Sequence, residues 1–81
     1  MDRCLLVEDH PKAQEWLAET LRQAFPGTQV DVAATIEAAR MLMQRHPDLA
    51  LVDLNLPDGD GCALIPGLVN LGTEVVVATV W

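Results

Sequence analysis

The sequence predicts an α/β fold in which a parallel β-sheet lies between two layers of helices. Short apolar runs alternate along the chain with segments of helical periodicity. These runs are apolar on successive residues, as expected for strands that are covered on both faces. The 81 residues suffice for one small core and contain no repeat, low-complexity tract or linker. Residues 1–81 are therefore expected to form one domain built from right-handed strand–helix–strand units.

The first half of the chain is predicted to contain two strands and two helices. Residues 4–7 form an apolar run, and the helix that follows begins near Pro11 and stops at Pro26-Gly27. Residues 30–33 are predicted to form the second strand. Thr35 is expected to cap a second helix. The inward residues of that helix are expected to be Ile36, Ala39, Leu42 and Met43.

The second half is predicted to supply two more strands and one weak helix. Residues 49–52 form the third strand, which ends in Asp53, and the stretch 55–61 has the composition of a turn. Residues 62–71 favour a third helix, but Pro66 would cost about 3 kcal/mol in a helix interior. That helix is therefore expected to be short, kinked or frayed. The β-branched run 74–80 is predicted to form the fourth strand.

Carboxylates follow two of the predicted strands. Glu8 and Asp9 end the first strand, and Asp53 ends the third. In the flavodoxin-like strand order 2-1-3-4 these strands are neighbours, and ligands bind beyond their carboxyl ends. Three crowded carboxylates repel one another, and a hard cation such as Mg²⁺ relieves the repulsion. A single acidic residue there would be interpreted as a solvated loop residue, but three favour a pocket in which a carboxylate can accept a phosphoryl group.

The composition excludes several other classes of function. Five basic against 12 acidic side chains, a formal net charge of −7, argue against a nucleic-acid-binding surface. No apolar run approaches the length of a membrane span, and a charged leader before a cleavage-type segment is not expected. Cys4 and Cys62 have apolar neighbours, so both are expected to be buried and reduced, which favours the cytoplasm. Trp16, Met41 and Met43 occur at helical spacing and are expected to pack.

Three runs of the sequence carry a resemblance to a known family. They are LLVEDHP at residues 5–11, LVDLNLPDGDG at 51–61 and VVVAT at 75–79. Their order and spacing resemble the receiver domain of bacterial two-component response regulators. The middle run matches the family's loop pattern D-x-x-[LM]-P-x-x-[DN]-G throughout, and the resemblance covers the whole chain. The first two runs are most similar to regulators that carry a C-terminal helix-turn-helix domain.

The resemblance implies a role for each matching position. Asp53 would be the phosphoacceptor, receiving its phosphoryl group from a histidine kinase, a phosphotransfer protein or a small acyl phosphate. Glu8, Asp9, Asp53 and the backbone carbonyl of Asn55 would hold Mg²⁺. Thr79 would be the switch hydroxyl that hydrogen-bonds a phosphoryl oxygen; without the resemblance it would be interpreted as an ordinary strand residue. Such a domain is not an enzyme in the usual sense, and it would regulate transcription through an output domain that the 81 residues do not contain.

The sequence also departs from the family's pattern. The family has five strands, whereas the 81 residues end after the fourth. They therefore lack the fifth strand, the last helices and the lysine that follows strand five. Slower phosphorylation is expected without that positive charge. The fourth strand is expected to be an uncovered apolar edge that favours self-association.

Two other functions remain open at this point. A haloacid-dehalogenase-type phosphatase also places an Asp nucleophile at a strand end. It needs a second Asp two residues later, where this sequence has Asn55. A degenerate receiver would act as a phosphorylation-independent protein-interaction module, and the missing lysine favours this alternative.

Overall fold

Nine helices and strands and one 3-10 turn make up the part of the chain that the computed structural model describes, residues 1–78. In chain order they are β1 (Arg3–Val7), α1 (Pro11–Ala24), β2 (Gln29–Ala33), α2 (Ile36–Met43), β3 (Leu49–Val52), the two-residue strands β4 (Asn55–Leu56) and β5 (Gly59–Asp60), a 3-10 turn at Gly61–Leu64, α3 (Ile65–Asn70) and β6 (Glu74–Val77). Apart from the two-residue strands β4 and β5, strands and helices alternate as the sequence predicts.

The main sheet contains four parallel strands in the order β2-β1-β3-β6. Within the described part of the chain, the short strands β4 and β5 pair only with each other. They form an antiparallel hairpin where the sequence predicts a turn. Because that hairpin lies outside the main sheet, β6 is the fourth strand of the sequence prediction. The predicted α/β fold class and the strand order 2-1-3-4 are confirmed.

The central strand β1 has a hydrophobic core on each face. Cys4 and Leu6 join a cluster with side chains of α1, whereas Leu5 and Val7 join a cluster with side chains of α2 and α3. Each fully buried Leu or Val contributes about 1.5–3 kcal/mol relative to exposure. Burial on both faces explains why residues 4–7 of β1 are all apolar. The carboxyl end of β1 is therefore held rigidly in the middle of the sheet.

Helices α1 and α2 begin where their sequences predict. Pro11 is the first residue of α1, where its missing N–H removes no helical hydrogen bond. The hydroxyl oxygen of Thr35 accepts a 3.0 Å hydrogen bond from the Ala38 N–H and caps α2. A second cap was not predicted: the carboxylate of Asp58 accepts from the N–H groups of Ile36 and Glu37 at 2.9 and 3.2 Å.

The third helix is short, as Pro66 predicts, and its starting point explains how the proline is accommodated. The 3-10 turn Gly61–Leu64 comes first, and Pro66 then falls in the first turn of α3 rather than in a helix interior. A proline there has no helical hydrogen bond to lose. Asp60 caps the 3-10 turn by accepting from the Cys62 N–H at 2.9 Å. The chain therefore accommodates the proline by starting α3 late.

Several predictions of burial were wrong. Cys62 is exposed, whereas Cys4 is buried as expected. Trp16 is 68% exposed and Met41 is 66% exposed, since both lie on the outer faces of their helices.

The fourth strand is shorter than predicted: β6 ends at Val77 rather than at residue 80, and Ala78 lies outside the strand. Residues 79–81 lie outside the described part of the chain.

A membrane span was not expected from the sequence. Among the described residues, no helix has the length and apolar character that crossing a bilayer requires.

Candidate functional site

The acidic residues lie where β1 and β3 end side by side. Val7 and Val52 are partners in the parallel register, so the residues that follow them leave the sheet at the same level. The Glu8 N–H donates to the Ala33 carbonyl at 2.9 Å, and the Asp53 N–H donates to the Val7 carbonyl at 2.9 Å. These ladder bonds continue the sheet by one residue. They position both acidic residues from the backbone.

Three carboxylates converge beyond these strand ends. One oxygen each from Glu8, Asp9 and Asp53 lies within 4.8 Å of the others. Glu8 is buried, with 7% of the residue exposed, whereas Asp9 and Asp53 are half-buried. A pocket of about 340 Å³ opens here, lined by Glu8, His10, Ala13 and Asp53. The side chains are thus close enough to share one ligand.

The electrostatics of the pocket favour a cation. Burial raises the pKa of the Glu8 carboxyl, and its hydrogen bond with Asp53 and the negative charge of Asp53 raise that pKa further. The His10 N–H, 3.3 Å from Glu8 Oε2, opposes part of this increase. A divalent cation would remove the repulsion, and an all-oxygen donor set suits Mg²⁺ or Ca²⁺. The residues present therefore fit such an ion.

Asp53 is followed by a tightly closed loop. The Asn55 N–H donates to Asp53 Oδ1 at 3.0 Å, and the Gly61 N–H donates to the Leu54 carbonyl at 2.9 Å. A Cβ atom on Gly61 would collide with the carbonyl oxygen of Asp53 and would crowd Val52. Only glycine allows this close approach, so the loop returns directly beneath Asp53 and supports its backbone.

Comparison with known protein families identifies the family of this chain. A family model described as the response regulator receiver domain matches residues 4–81. The chain belongs to this family. The sequence resemblance to receiver domains is thereby confirmed.

Two curated relatives of this receiver are regulatory proteins. The glycerol metabolism activator of Pseudomonas putida is 36% identical over 76 residues, which cover 91% of this chain and 33% of that protein. The virulence transcriptional regulatory protein PhoP of Salmonella typhimurium is 42% identical over 66 residues, which cover 80% of this chain and 29% of that protein. The chain thus spans about a third of the length of the curated relatives it matches.

Solved receiver structures superimpose closely on this one. The MaeR response regulator bound to beryllium trifluoride has a TM-score of 0.88 and 27% identity, covering 100% of this chain and 69% of that one. A response regulator from Burkholderia pseudomallei with a phosphorylated aspartic acid, calcium ion and citrate has a TM-score of 0.86 and 25% identity, covering 100% and 48%.

The structure brings together most of the residues that the sequence singled out. Glu8, Asp9 and Asp53 form the cluster, and Asn55 adjoins it through its backbone N–H. Thr79, the expected switch hydroxyl, lies outside the described residues. The roles of these residues in binding Mg²⁺ and a phosphoryl group remain predictions.

The sequence does not predict several other residues at or near the site. Ala13 lines the pocket from the first turn of α1, and Gln14 hydrogen-bonds the Glu8 carbonyl from the same turn. The useful signal was their position, one turn into a helix that begins directly after the acidic pair. The sequence predicts only a turn at Asp58, because a contact across 21 or 22 residues to α2 leaves no local pattern.

Proposed function

We propose that this receiver is the phosphoacceptor module of a two-component phosphorelay and that Asp53 is the residue that becomes phosphorylated. The observation that carries the proposal is the convergence of three carboxylate oxygens within 4.8 Å, with Asp53 at the carboxyl end of β3. The phosphorylated aspartic acid of the Burkholderia pseudomallei regulator and the beryllium trifluoride bound to MaeR support it by analogy. The chain is proposed as an acceptor rather than as an enzyme.

The proposed reaction is an attack by the Asp53 carboxylate on a phosphoryl group. For a phosphohistidine donor, an O–P bond forms as the P–N bond breaks. The electron pair stays on the imidazole nitrogen, which takes up a proton from solvent. The hydrogen bond from the Asn55 N–H to Asp53 Oδ1 orients the carboxylate for this attack. The donor would approach through the pocket beside Asp53, which His10 and Ala13 also line.

A magnesium ion is part of the proposal. Glu8, Asp9 and Asp53 would hold it, with the backbone carbonyl of Asn55 as a further ligand. When bound, Mg²⁺ supplies positive charge that offsets the charge on both the carboxylate and the phosphoryl oxygens. Without a cation, burial raises the pKa of the Glu8 carboxyl first, and the hydrogen bond and negative charge of Asp53 raise it further.

The partners and the output follow from the same proposal. The donor would be a histidine kinase or a phosphotransfer protein, and the expected compartment is the cytoplasm. The curated relative PhoP is named as a transcriptional regulatory protein. By analogy, this receiver would control transcription through an output domain outside the 81 residues, with no direct nucleic-acid contact of its own.

Phosphorylation can be tested on the chain itself. Incubation with acetyl phosphate and Mg²⁺ should add one phosphoryl group to the wild type in intact-mass spectra and none to Asp53→Asn. Asp48→Asn is the matched control, because Asp48 precedes β3 at the opposite end of the sheet, and it should be modified like the wild type. A wild type that remains unmodified would overturn the proposal and favour the phosphorylation-independent interaction module.

The metal ligands need a separate measurement. In an NMR titration with Mg²⁺, Asp9→Ala should abolish the binding shifts. Asn55→Ala should leave them largely intact, because only the backbone carbonyl of Asn55 is expected to bind. Equal loss of binding in both variants would contradict the carbonyl-ligand assignment.

A further inference from the structure

Glu8 is held in place from three directions. Its N–H donates to the Ala33 carbonyl in the sheet, and its Oε2 accepts from the His10 N–H at 3.3 Å. Its backbone carbonyl accepts a hydrogen bond from Nε2 of Gln14, at a heavy-atom distance of 2.5 Å. The first two contacts involve backbone groups of Ala33 and His10, whereas the third comes from the side chain of Gln14.

Gln14 is well placed for this contact because of how α1 begins. His10 occupies the N-cap position but makes no side-chain capping bond, and Pro11 follows it. The backbone N–H of Gln14 donates to the His10 carbonyl at 2.9 Å, which closes the first turn. The half-buried amide of Gln14 then reaches back across this turn to Glu8. It ties the helix to the segment that carries two of the three carboxylates.

The bonded carbonyl belongs to the peptide group between Glu8 and Asp9. Because this peptide group is planar, a change in ψ of Glu8 moves its carbonyl oxygen and the Asp9 backbone together, and it therefore moves the Asp9 side chain as well. A cation site depends on the placement of its ligands, and groups behind the ligands typically change metal affinity when they are removed.

We infer that Gln14 is a positioning residue: its side-chain amide holds the Glu8–Asp9 peptide so that both carboxylates face Asp53. The inference rests on the proposed Mg²⁺-dependent function. It adds a residue that is not one of the proposed Mg²⁺ ligands. Gln14 touches neither ion nor phosphoryl group, and it acts only through the carbonyl of Glu8.

The essential property is a hydrogen-bond donor at this position. Gln14→Glu keeps the shape of the side chain but presents a carboxylate, which cannot donate to a carbonyl when ionised. Gln14→Leu removes the donor without adding charge. Gln14→Arg restores a donor with a longer side chain. Electrostatics alone would make Gln14→Glu bind Mg²⁺ more tightly and Gln14→Arg more weakly, so the positioning role predicts the opposite order.

The decisive experiment is an NMR titration of the whole 81-residue chain with Mg²⁺, combined with urea unfolding of each variant. Both Gln14→Leu and Gln14→Glu should weaken Mg²⁺ binding, by roughly tenfold, whereas Gln14→Arg should bind close to wild-type strength. Gln23→Glu is the matched control, since Gln23 lies on α1 and, within residues 1–78, its side chain bonds only Glu19, at 3.4 Å. It adds the same charge and should leave Mg²⁺ affinity almost unchanged.

A measurement without metal completes the test. In the Mg²⁺-free wild type, backbone order parameters of Asp9 and His10 should match those of the adjoining strand, and in Gln14→Leu they should fall. Undiminished affinity and unchanged order in Gln14→Leu would overturn the positioning role alone. Tighter binding in Gln14→Glu would replace it with simple electrostatics. A wild type that shows no Mg²⁺ shifts would instead overturn the proposed function.

Discussion

The buried carboxylate of Glu8 makes the stability of the protein depend on pH. It is buried beside Asp53, and burial followed by that neighbour raises its pKa. A raised carboxyl pKa means that the folded state prefers the protonated form. The contribution of Glu8 to stability is therefore greatest below its unfolded-state pKa, and it is lost as the pH rises through the higher folded-state pKa. Once Glu8 is ionised, it therefore lowers the stability of the metal-free folded state.

The first prediction follows from that sign. Glu8→Gln imitates the protonated carboxyl and keeps an oxygen that can accept from the His10 N–H. In the presence of EDTA it should melt at a higher temperature than the wild type at neutral pH. The difference should shrink as the pH falls below the raised pKa, because the wild type then becomes protonated as well. Added Mg²⁺ should stabilise the wild type only. A difference in melting temperature that does not vary with pH would contradict this account.

The second prediction concerns the glycine beneath Asp53. Gly61→Ala places a Cβ against the Asp53 carbonyl oxygen and Val52, and backbone atoms cannot move aside easily. Overpacking of this kind typically costs about 1–3 kcal/mol, measurable as a lower free energy of unfolding in urea. Gly67→Ala is the control, since its Cβ would meet only the terminal methyl of Met43, at 2.9 Å. That flexible side chain can move, so Gly67→Ala should be tolerated.

The residues of the site differ in how far the sequence could predict them. Glu8, Asp9 and Asp53 could be found because they directly follow apolar strands, and parallel strands bring their ends together. Gln14 and Gly61 depend on backbone positions that only the folded chain defines. Cys62 and Trp16 were assigned to the interior from apolar neighbours and helical spacing, but both sit on outward faces. Spacing identifies a helical face without saying which face is covered.

At the scale of elements, the loop after β3 and helix α2 form one unit. Asp58 bonds the first two N–H groups of α2, while Asn55 in the same loop bonds Asp53. The loop that positions Asp53 is thus anchored to a helix N-terminus, where a carboxylate is also favoured by the helix dipole. Backbone hydrogen bonds from Ile36 and Glu37 lower the pKa of Asp58. Sequence patterns predicted Thr35 as the cap, but a cap supplied from a distant loop has no such pattern.

The third prediction tests this anchor. The lowered pKa of Asp58 means that its stabilising effect is present above its unfolded-state pKa and is lost as the pH falls through the folded-state value. Asp58→Ala should therefore lower the melting temperature at neutral pH, with little difference from the wild type in strong acid. Hydrogen exchange at the Ile36 and Glu37 amides should accelerate. Glu15→Ala, which removes an exposed carboxylate on α1, serves as the control. Equal exchange rates in both variants would argue against the anchor.

For the whole molecule, periodicity predicted the topology because each local signal agreed with the others. Apolar runs specified buried parallel strands, and the intervening helices required crossovers, which leave few possible strand orders. The β4–β5 hairpin and the late start of α3 were beyond this reasoning. Both depend on how the loop after β3 closes over Gly61, rather than on any periodic pattern.

The last feature at the scale of the whole molecule is the exposed edge of its main sheet. Among the described strands, β6 lies at one end of the sheet and β2 at the other, and Val76 and Val77 of β6 are 48% and 46% exposed. An apolar, β-branched edge strand can pair with another chain through its free backbone groups. As an isolated 81-residue polypeptide, the receiver should therefore associate as its concentration rises, which light scattering can measure.

A charge on the edge strand should suppress that association. Val76→Lys places a lysine on β6, and a charged side chain on an edge strand disfavours pairing with a second sheet. Val32→Lys is the matched control, because Val32 is 39% exposed on β2 at the opposite edge. If association uses β6, Val76→Lys should remain monomeric at concentrations where the wild type and Val32→Lys associate. A wild type that stays monomeric, or equal suppression by both lysines, would show that β6 does not mediate self-association.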